Sequence, residues 1–285
     1  MNPLDLAGPQ FLLFYFILCV FVMIGLNAAM RFSESKGPAG LPLQDPYQIA
    51  WLRGGAPEAA RIAVLSLVDR GLLELGSKSL AQKDVSVWQL PRHTLERAVY
   101  NAAAGGAEAK AVLDNAGVVV ACDGLRQELE RRGLAPDETV RRQRWGYLVT
   151  ALTIVLGMAA LKIAVALARG KTNLLFLFLL ALIAGFILWR QSRKRRTARG
   201  DAALADLRRL LGGLRDRAQS IRAGQMTADA MLLAAAFGLA ALPTESFAAL
   251  RSFFPQASSS SGGCGSSCGG GGGCGGGGGC GGCGS

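Results

Sequence analysis

Three apolar runs, at residues 11–30, 145–167 and 172–189, stand out from an otherwise polar chain. The first reads FLLFYFILCVFVMIGLNAAM without a charge, and at about 1.5 Å of rise per residue it just crosses a hydrocarbon core of roughly 30 Å. The second and third are separated only by Ala168-Arg169-Gly170-Lys171, which predicts a hairpin of two spans. A cleaved signal would need a basic region before the first run. Only Asp5 precedes it, and Asn27-Ala28-Ala29 is a poor cleavage site, so the first run is expected to remain as a span.

Between the first and second runs the pattern changes to shorter periodic segments. Residues 37–46 form a Pro/Gly linker, after which Asp45-Pro46 is a helix start: Asp caps, and Pro is tolerated at the first helical position. Gly54-Gly55 ends that helix. A second runs from Ala56 with Ala60, Val64, Leu67 and Val68 on one face and stops at Gly71. Residues 72–75 and 85–90 then read as two strands around a polar turn at 76–84. This order predicts a winged-helix-like α/β domain over residues 45–142. Its second half repeats the theme more weakly, with helical faces at Leu95, Ala98, Val99 and Ala102, over 107–113, and at Leu125 and Leu129. Leu67-Val68-Asp69-Arg70-Gly71-Leu72 and Leu129-Glu130-Arg131-Arg132-Gly133-Leu134 share a skeleton, which hints at two related halves.

After the third run, residues 200–254 are expected to be helical. Leu204, Leu207, Leu211, Leu214 and Ala218 form an apolar stripe opposite Arg208, Arg209, Arg215 and Arg217. A membrane-surface placement of this basic amphipathic helix is favoured, with packing on the globular domain as the alternative. Residues 230–242 are apolar but short, which suits a buried or interfacial helix better than a crossing.

Charge supplies an orientation. The 285 residues carry a net charge of +11, yet residues 31–145 hold 16 Lys/Arg against 14 Asp/Glu, whereas 190–222 hold 11 against 3. The excess is therefore one juxtamembrane stretch, which matches anionic lipid headgroups better than nucleic acid. Positive residues flank the three runs at Arg31 and Lys36, at Arg141, Arg142 and Arg144, and from Arg190 to Arg199. The positive-inside rule then predicts three spans in a bacterial inner membrane, N-terminus outside and C-terminus in the cytoplasm. Trp145, Tyr147 and Trp189 fit an aromatic belt at the inner face. Lys162 falls near the outer end of its span, where it is expected to snorkel rather than serve as a buried functional charge. A mean hydropathy of +0.30 agrees with an integral membrane protein.

The segment Asp45-Pro46-Tyr47-Gln48-Ile49-Ala50-Trp51-Leu52-Arg53-Gly54-Gly55, with residues 67–73 downstream, resembles an uncharacterised family of bacterial membrane proteins. Members show a DPYEIAYLRGG-like segment, a leading span, a hairpin of spans and a Gly-rich, often Cys-rich tail. The similarity covers most of residues 11–254, with Gln48 and Trp51 departing conservatively. It implies a membrane protein of unknown function and brings no catalytic residue.

Candidate chemistry is confined to the tail, residues 258–285. There Cys264, Cys268, Cys274, Cys280 and Cys283 are set in glycine and serine. Thiolates are soft ligands suited to Cu(I) or Zn. The spacing is irregular, however, only Cys280 and Cys283 form a CxxC, and no His is nearby, so a prebuilt zinc ribbon is not expected. A disordered tail and a substrate for a modifying enzyme are the other readings. His93 is the only histidine and reads as a surface residue at a helix start, which removes His-based triads. Neither Gly54-Gly55 nor Gly105-Gly106 belongs to a P-loop or a dinucleotide fingerprint. The expectation is thus a mainly α membrane protein, a non-enzymatic scaffold or interaction protein contacting lipid and protein partners. The alternative is a membrane-tethered winged-helix regulator that binds nucleic acid, for which +2 over 115 residues is a weak footprint.

Overall fold

In the computed structural model, which describes residues 8–34, 43–76, 79–83, 91, 93–168, 175–216 and 227–254, the chain is mostly helical with one small sheet. The order begins α1 (Gly8–Glu34), α2 (Pro46–Gly54), α3 (Ala56–Asp69), β1 (Leu73–Leu75), β2 (Ser79–Gln82), α4 (Thr94–Ala102), β3 (Ala107–Glu108), α5 (Ala109–Leu113) and α6 (Ala116–Arg131). It continues with α7 (Glu138–Ala168), α8 (Leu175–Ser192), α9 (Ala198–Leu210), α10 (Gly212–Asp216), α11 (Thr227–Phe237) and α12 (Thr244–Phe253).

Helix α2 starts where its sequence says it should. The Asp45 side chain accepts from the Tyr47 amide at 2.9 Å, and Pro46 takes the first position, where a missing N–H costs nothing. Helix α3 is buried along most of its length, from Ala59 to Leu67, because α2, α4, α6 and α11 all pack around it. Described apolar residues from two stretches that the sequence sets apart, from Leu43 to Ala135 and from Leu204 to Phe254, contribute to one core. Its closing element is α11, whose Leu233, Ala234, Ala235 and Ala236 are buried against α2 and α3. The small alanines allow that close approach, and the segment is a buried helix rather than a crossing.

Three sequence expectations change. The stretch 76–84, expected as a polar turn, contains β2: Leu73, Glu74 and Leu75 pair antiparallel with Gln82, Ala81 and Leu80. Leu80 alone is buried, so the strand carries too little apolar alternation to be seen in sequence. Residues 85–90, expected as the second strand, lie outside the described residues. The helix expected over 107–113 begins instead as β3, because Ala107 and Glu108 pair with Leu80 and Ser79. Finally, over its described residues the amphipathic helix packs on the globular domain rather than offering its stripe to a membrane; Ala218 and Arg217 lie outside the described residues. Leu204 of α9 is buried in the core, and Leu207, Leu211 and Leu214 pack against it.

The repeated skeleton has a local cause. In both copies the leucine after glycine donates its N–H back five residues, Leu72 to Leu67 at 2.8 Å and Leu134 to Leu129 at 2.9 Å. Gly71 and Gly133 supply the positive φ this ending needs, 71° and 69°. A strand follows one and α7 the other, so what repeats is a helix terminus.

Helices α1, α7 and α8 form a second cluster, with Phe11, Tyr15, Leu148, Val155, Leu177 and Leu188 in its interior. The Tyr15 hydroxyl donates to the Val155 carbonyl at 3.1 Å, tying α1 to α7. The outer faces are apolar too: Phe16, Phe21, Leu161, Phe178 and Phe186 are exposed. Helices apolar all round belong in an apolar surrounding. Two of them, α1 and α7, are long and apolar enough to cross a membrane, and α8 is apolar but shorter over its described residues. Near the start of α1, the Lys162 ammonium lies 4.5 Å from the centre of the Phe11 ring.

Candidate functional site

The five cysteines expected as soft-metal ligands, Cys264, Cys268, Cys274, Cys280 and Cys283, lie outside the described residues. Among the described residues no group of three or more His, Cys, Asp or Glu is arranged to hold a metal ion. Cys19 and Cys122 are free and buried. Burial pushes the Cys122 thiol up to about 11, so it is a protonated, inert thiol at neutral pH.

The structure builds its polar chemistry where the helical bundle meets the globular domain. Glu34, in the last turn of α1, and Arg144, seven residues into α7, form an ion pair of 2.6 Å with side chains only 4% and 6% exposed. The second Glu34 oxygen accepts the Ala198 amide at 2.8 Å, at the start of α9. Arg144 donates from its two other nitrogens to the carbonyls of Lys194 and Arg196, at 2.5 and 2.7 Å. Next to it, Thr197 is buried; its hydroxyl faces the carbonyls of Gly133 and Leu134, at 2.8 and 3.1 Å, and accepts the Gly200 amide at 3.1 Å. One carboxylate, one guanidinium and one hydroxyl thereby join four segments. In sequence Arg144 reads as a flanking positive charge, and Glu34 does not stand out. A signal was present, because a lone acid at a helix C-terminus opposes the dipole and needs a cation.

A cleft of about 590 Å³ opens beside this junction. One wall comes from α2 and α3 (Trp51 and 55–57), another from α6 and the start of α7, and a third from residues 192–195 after α8. Six cationic side chains line it, Arg126, Arg141, Arg144, Arg193, Lys194 and Arg195, against two carboxylates, Asp123 and Glu130. Both carboxylates are already engaged. Glu130 binds Arg126 and Arg141, each at 2.8 Å, and Asp123 lies 3.9 Å from Arg126. By contrast, Arg193 stacks over Trp189 at 4.3 Å, Lys194 donates to the Asn27 side chain at 3.2 Å, and Arg195 donates to the Gly54 carbonyl at 2.9 Å. These three partners are neutral. Burial holds the Lys194 ammonium below the usual lysine range, with Arg31 and Arg144 adding to it and Asp201 and Glu34 opposing.

The 45–55 segment is used for assembly. Tyr47 donates to Glu96, which also accepts from Ser66 at 2.7 Å and pairs with Arg70 at 2.9 Å. His93 is half-buried, caps α4 by accepting the Leu95 amide on Nδ1 at 3.2 Å, and rests against the Tyr47 ring at 4.3 Å. Arg53 donates to the Ala235 carbonyl at 2.9 Å and Arg208 to Ala236 at 3.0 Å, closing the C-terminus of α11 where cations suit the dipole. Within this network the Glu96 carboxylate ties α4 to α2 and α3, and His93 Nδ1 is occupied in capping its own helix. Comparison of the chain with family models, with curated proteins and with solved structures finds no match.

Proposed function

We propose that this chain is a three-span protein of a bacterial inner membrane, N-terminus outside and C-terminus in the cytoplasm, that acts as a non-enzymatic scaffold. The meeting of three helix ends at the Glu34–Arg144 pair carries the proposal. Helix α1 ends there, α7 begins there, and α8 ends two residues before Lys194, whose carbonyl holds Arg144. A chain that crosses with α1 and α7 therefore returns with α8, whose 18 described residues rise about 27 Å, close to the roughly 30 Å of a hydrocarbon core. The basic flanks of all three fall at that one end, which supports placing it inside.

The order α2, α3 and the β1–β2 hairpin supports the winged-helix-like description, and the bacterial family suggested by residues 45–55 accords with this layout. Burial of α3 leaves it without a basic face for duplex DNA, which favours lipid and protein partners over nucleic acid. The bundle then anchors a helical domain at the inner face and delivers the Cys/Gly tail to a reducing compartment. There Cu(I) or Zn capture and enzymatic modification are the chemistries open to its thiols.

Labelling with a membrane-impermeant maleimide tests the layout, using a chain whose other tail cysteines are serine so that Cys283 reports. Cys283 is expected to react only after the cells are permeabilised. Labelling in intact cells would reverse the orientation and the proposed compartment of the tail.

A further inference from the structure

We infer that the cleft between α2, the start of α7 and residues 192–195 binds the phosphate-bearing headgroup of an anionic phospholipid from the inner leaflet. The inference rests on the three-span reading above, and three independent features of the cleft point to it.

Charge comes first. Glu130 is bound by Arg126 and Arg141, Asp123 lies 3.9 Å from Arg126, and Arg144 is bound by Glu34, so these three arginines balance three carboxylates. What remains is Arg193-Lys194-Arg195, three successive cations whose side chains have only neutral hydrogen-bond and ring partners among the described residues. Cations gathered in a concave, partly apolar site focus their potential on whatever anion enters. A phosphate diester matches this set, since guanidinium forks bind its oxygens in pairs and an ammonium adds a point charge.

Position is the second feature. The cleft lies at the ends of α7 and α8, the level assigned to headgroups, and Trp145 on its rim is 62% exposed. An exposed indole at that depth is where interfacial tryptophans collect. A ligand rising from the bilayer thus meets aromatic surface first and cations beyond it.

Size is the third. About 590 Å³ exceeds what a bare phosphate fills and lies within the range of small-molecule sites. Trp51 and Trp145, with Ala56 and Pro57, supply the apolar wall that a glycerol backbone and the first acyl carbons would cover. Free inorganic phosphate would use the cations alone.

The test uses the full chain, purified in a mild detergent, with native mass spectrometry to count bound lipid after addition of phosphatidylglycerol or phosphatidylcholine. Phosphatidylglycerol is expected to be retained about tenfold or more over phosphatidylcholine. R193Q/K194Q/R195Q is expected to remove most of that preference, each cation near an anionic headgroup being worth about a fewfold in affinity. R97Q/R131Q/R209Q, which removes equal charge from exposed sites outside the cleft, is expected to keep it. Should the triple glutamine variant in the cleft misfold, R193Q/K194Q preserves the Arg195 bond to Gly54 and is expected to lose about threefold or more. Equal loss in the cleft and control variants would overturn the inference. So would displacement of the lipid by glycerol phosphate or inorganic phosphate at comparable concentration, which would assign the site to a soluble anion. Failure of the membrane reading is separately visible: the chain would then be released from cell membranes by alkaline carbonate, before any lipid is added.

Discussion

Glu34 and Arg144, 110 positions apart in sequence, meet at 2.6 Å in a nearly solvent-free junction where α1, α7, the segment after α8 and the start of α9 come together. An ion pair buried this way contributes little relative to water, but its partners depend on each other. Arg144→Ala or Glu34→Ala strands the other charge and is expected to cost about 3–5 kcal/mol. A swap of both for leucine and methionine often restores stability at simple buried pairs. Here it would leave the Lys194 and Arg196 carbonyls and the Ala198 amide without partners, so only partial recovery is expected. Denaturant unfolding of the two single variants and the double variant measures both effects, and full recovery in the double would show that those backbone bonds are expendable.

Gly200 tests the docking of α9 on the same junction. A Cβ at this position would run into the Leu134 carbonyl oxygen, and the Leu52 side chain lies 3.5 Å away. Backbone cannot yield as a long side chain can, so Gly200→Ala is expected to destabilise by about 2 kcal/mol or more even though Ala is the better helix former. Gly124, on the exposed face of α6, has nothing within 4 Å. Gly124→Ala is expected to stabilise by about 0.5–1 kcal/mol. Opposite signs in thermal unfolding separate packing from propensity.

How much of this was legible in sequence depended on whether the cause was local. Asp45-Pro46 and Gly54-Gly55 bracket α2 by capping chemistry, and the apolar lengths of α1 and α7 follow from composition, so these elements could be read directly. Strand β2 could not, since its only buried residue is Leu80 and its pairing is supplied by β1 and β3. The stripe of Leu204 and Leu207 was visible, but a stripe does not say what it faces; the domain core, completed by α11, decides that. The cleft was the least legible feature. Arg193, Lys194 and Arg195 read as flanking charge, while Arg126 and Arg141 join them only through tertiary packing.

Tyr47 gives a pH-dependent check on the Glu96 network. Burial, reinforced by the hydrogen bond to Glu96, holds the phenol well above its usual range. A folded-state value above the unfolded one near 10 means the contribution is fully present below pH ~10 and is lost as pH rises beyond it, because the unfolded chain then releases a proton the folded chain keeps. Tyr47→Phe removes one donor to a carboxylate that still holds Ser66 and Arg70. It is expected to cost about 1–2 kcal/mol at neutral pH. Unfolding measured across the alkaline range should show the gap between the two proteins narrowing above pH ~10; a constant gap would mean that Tyr47 titrates equally in both states.

Thiol chemistry divides the cysteines by environment, and that division leads to a test of the tail. Cys122 is buried in α6, with its Sγ 3.7 Å from the Ala56 carbonyl, and its raised pKa leaves almost no thiolate at neutral pH. It is expected to stay unmodified by N-ethylmaleimide until the protein unfolds, which peptide mapping by mass spectrometry can follow. Cys264, Cys268, Cys274, Cys280 and Cys283 sit among glycines that let a chain wrap an ion without steric cost. Cu(I), which accepts two or three thiolates in flexible geometry, suits irregular spacing better than Zn, which favours four ligands in a tetrahedron. Titration of the reduced full chain with Cu(I) is therefore expected to produce thiolate-to-metal absorption in the ultraviolet and to protect the tail from maleimide. Zn is expected to do so more weakly, and the five-serine variant not at all. Absence of the Cu(I) absorption, or its persistence in the five-serine variant, would remove metal capture and leave a disordered tail and a substrate for a modifying enzyme as the remaining readings.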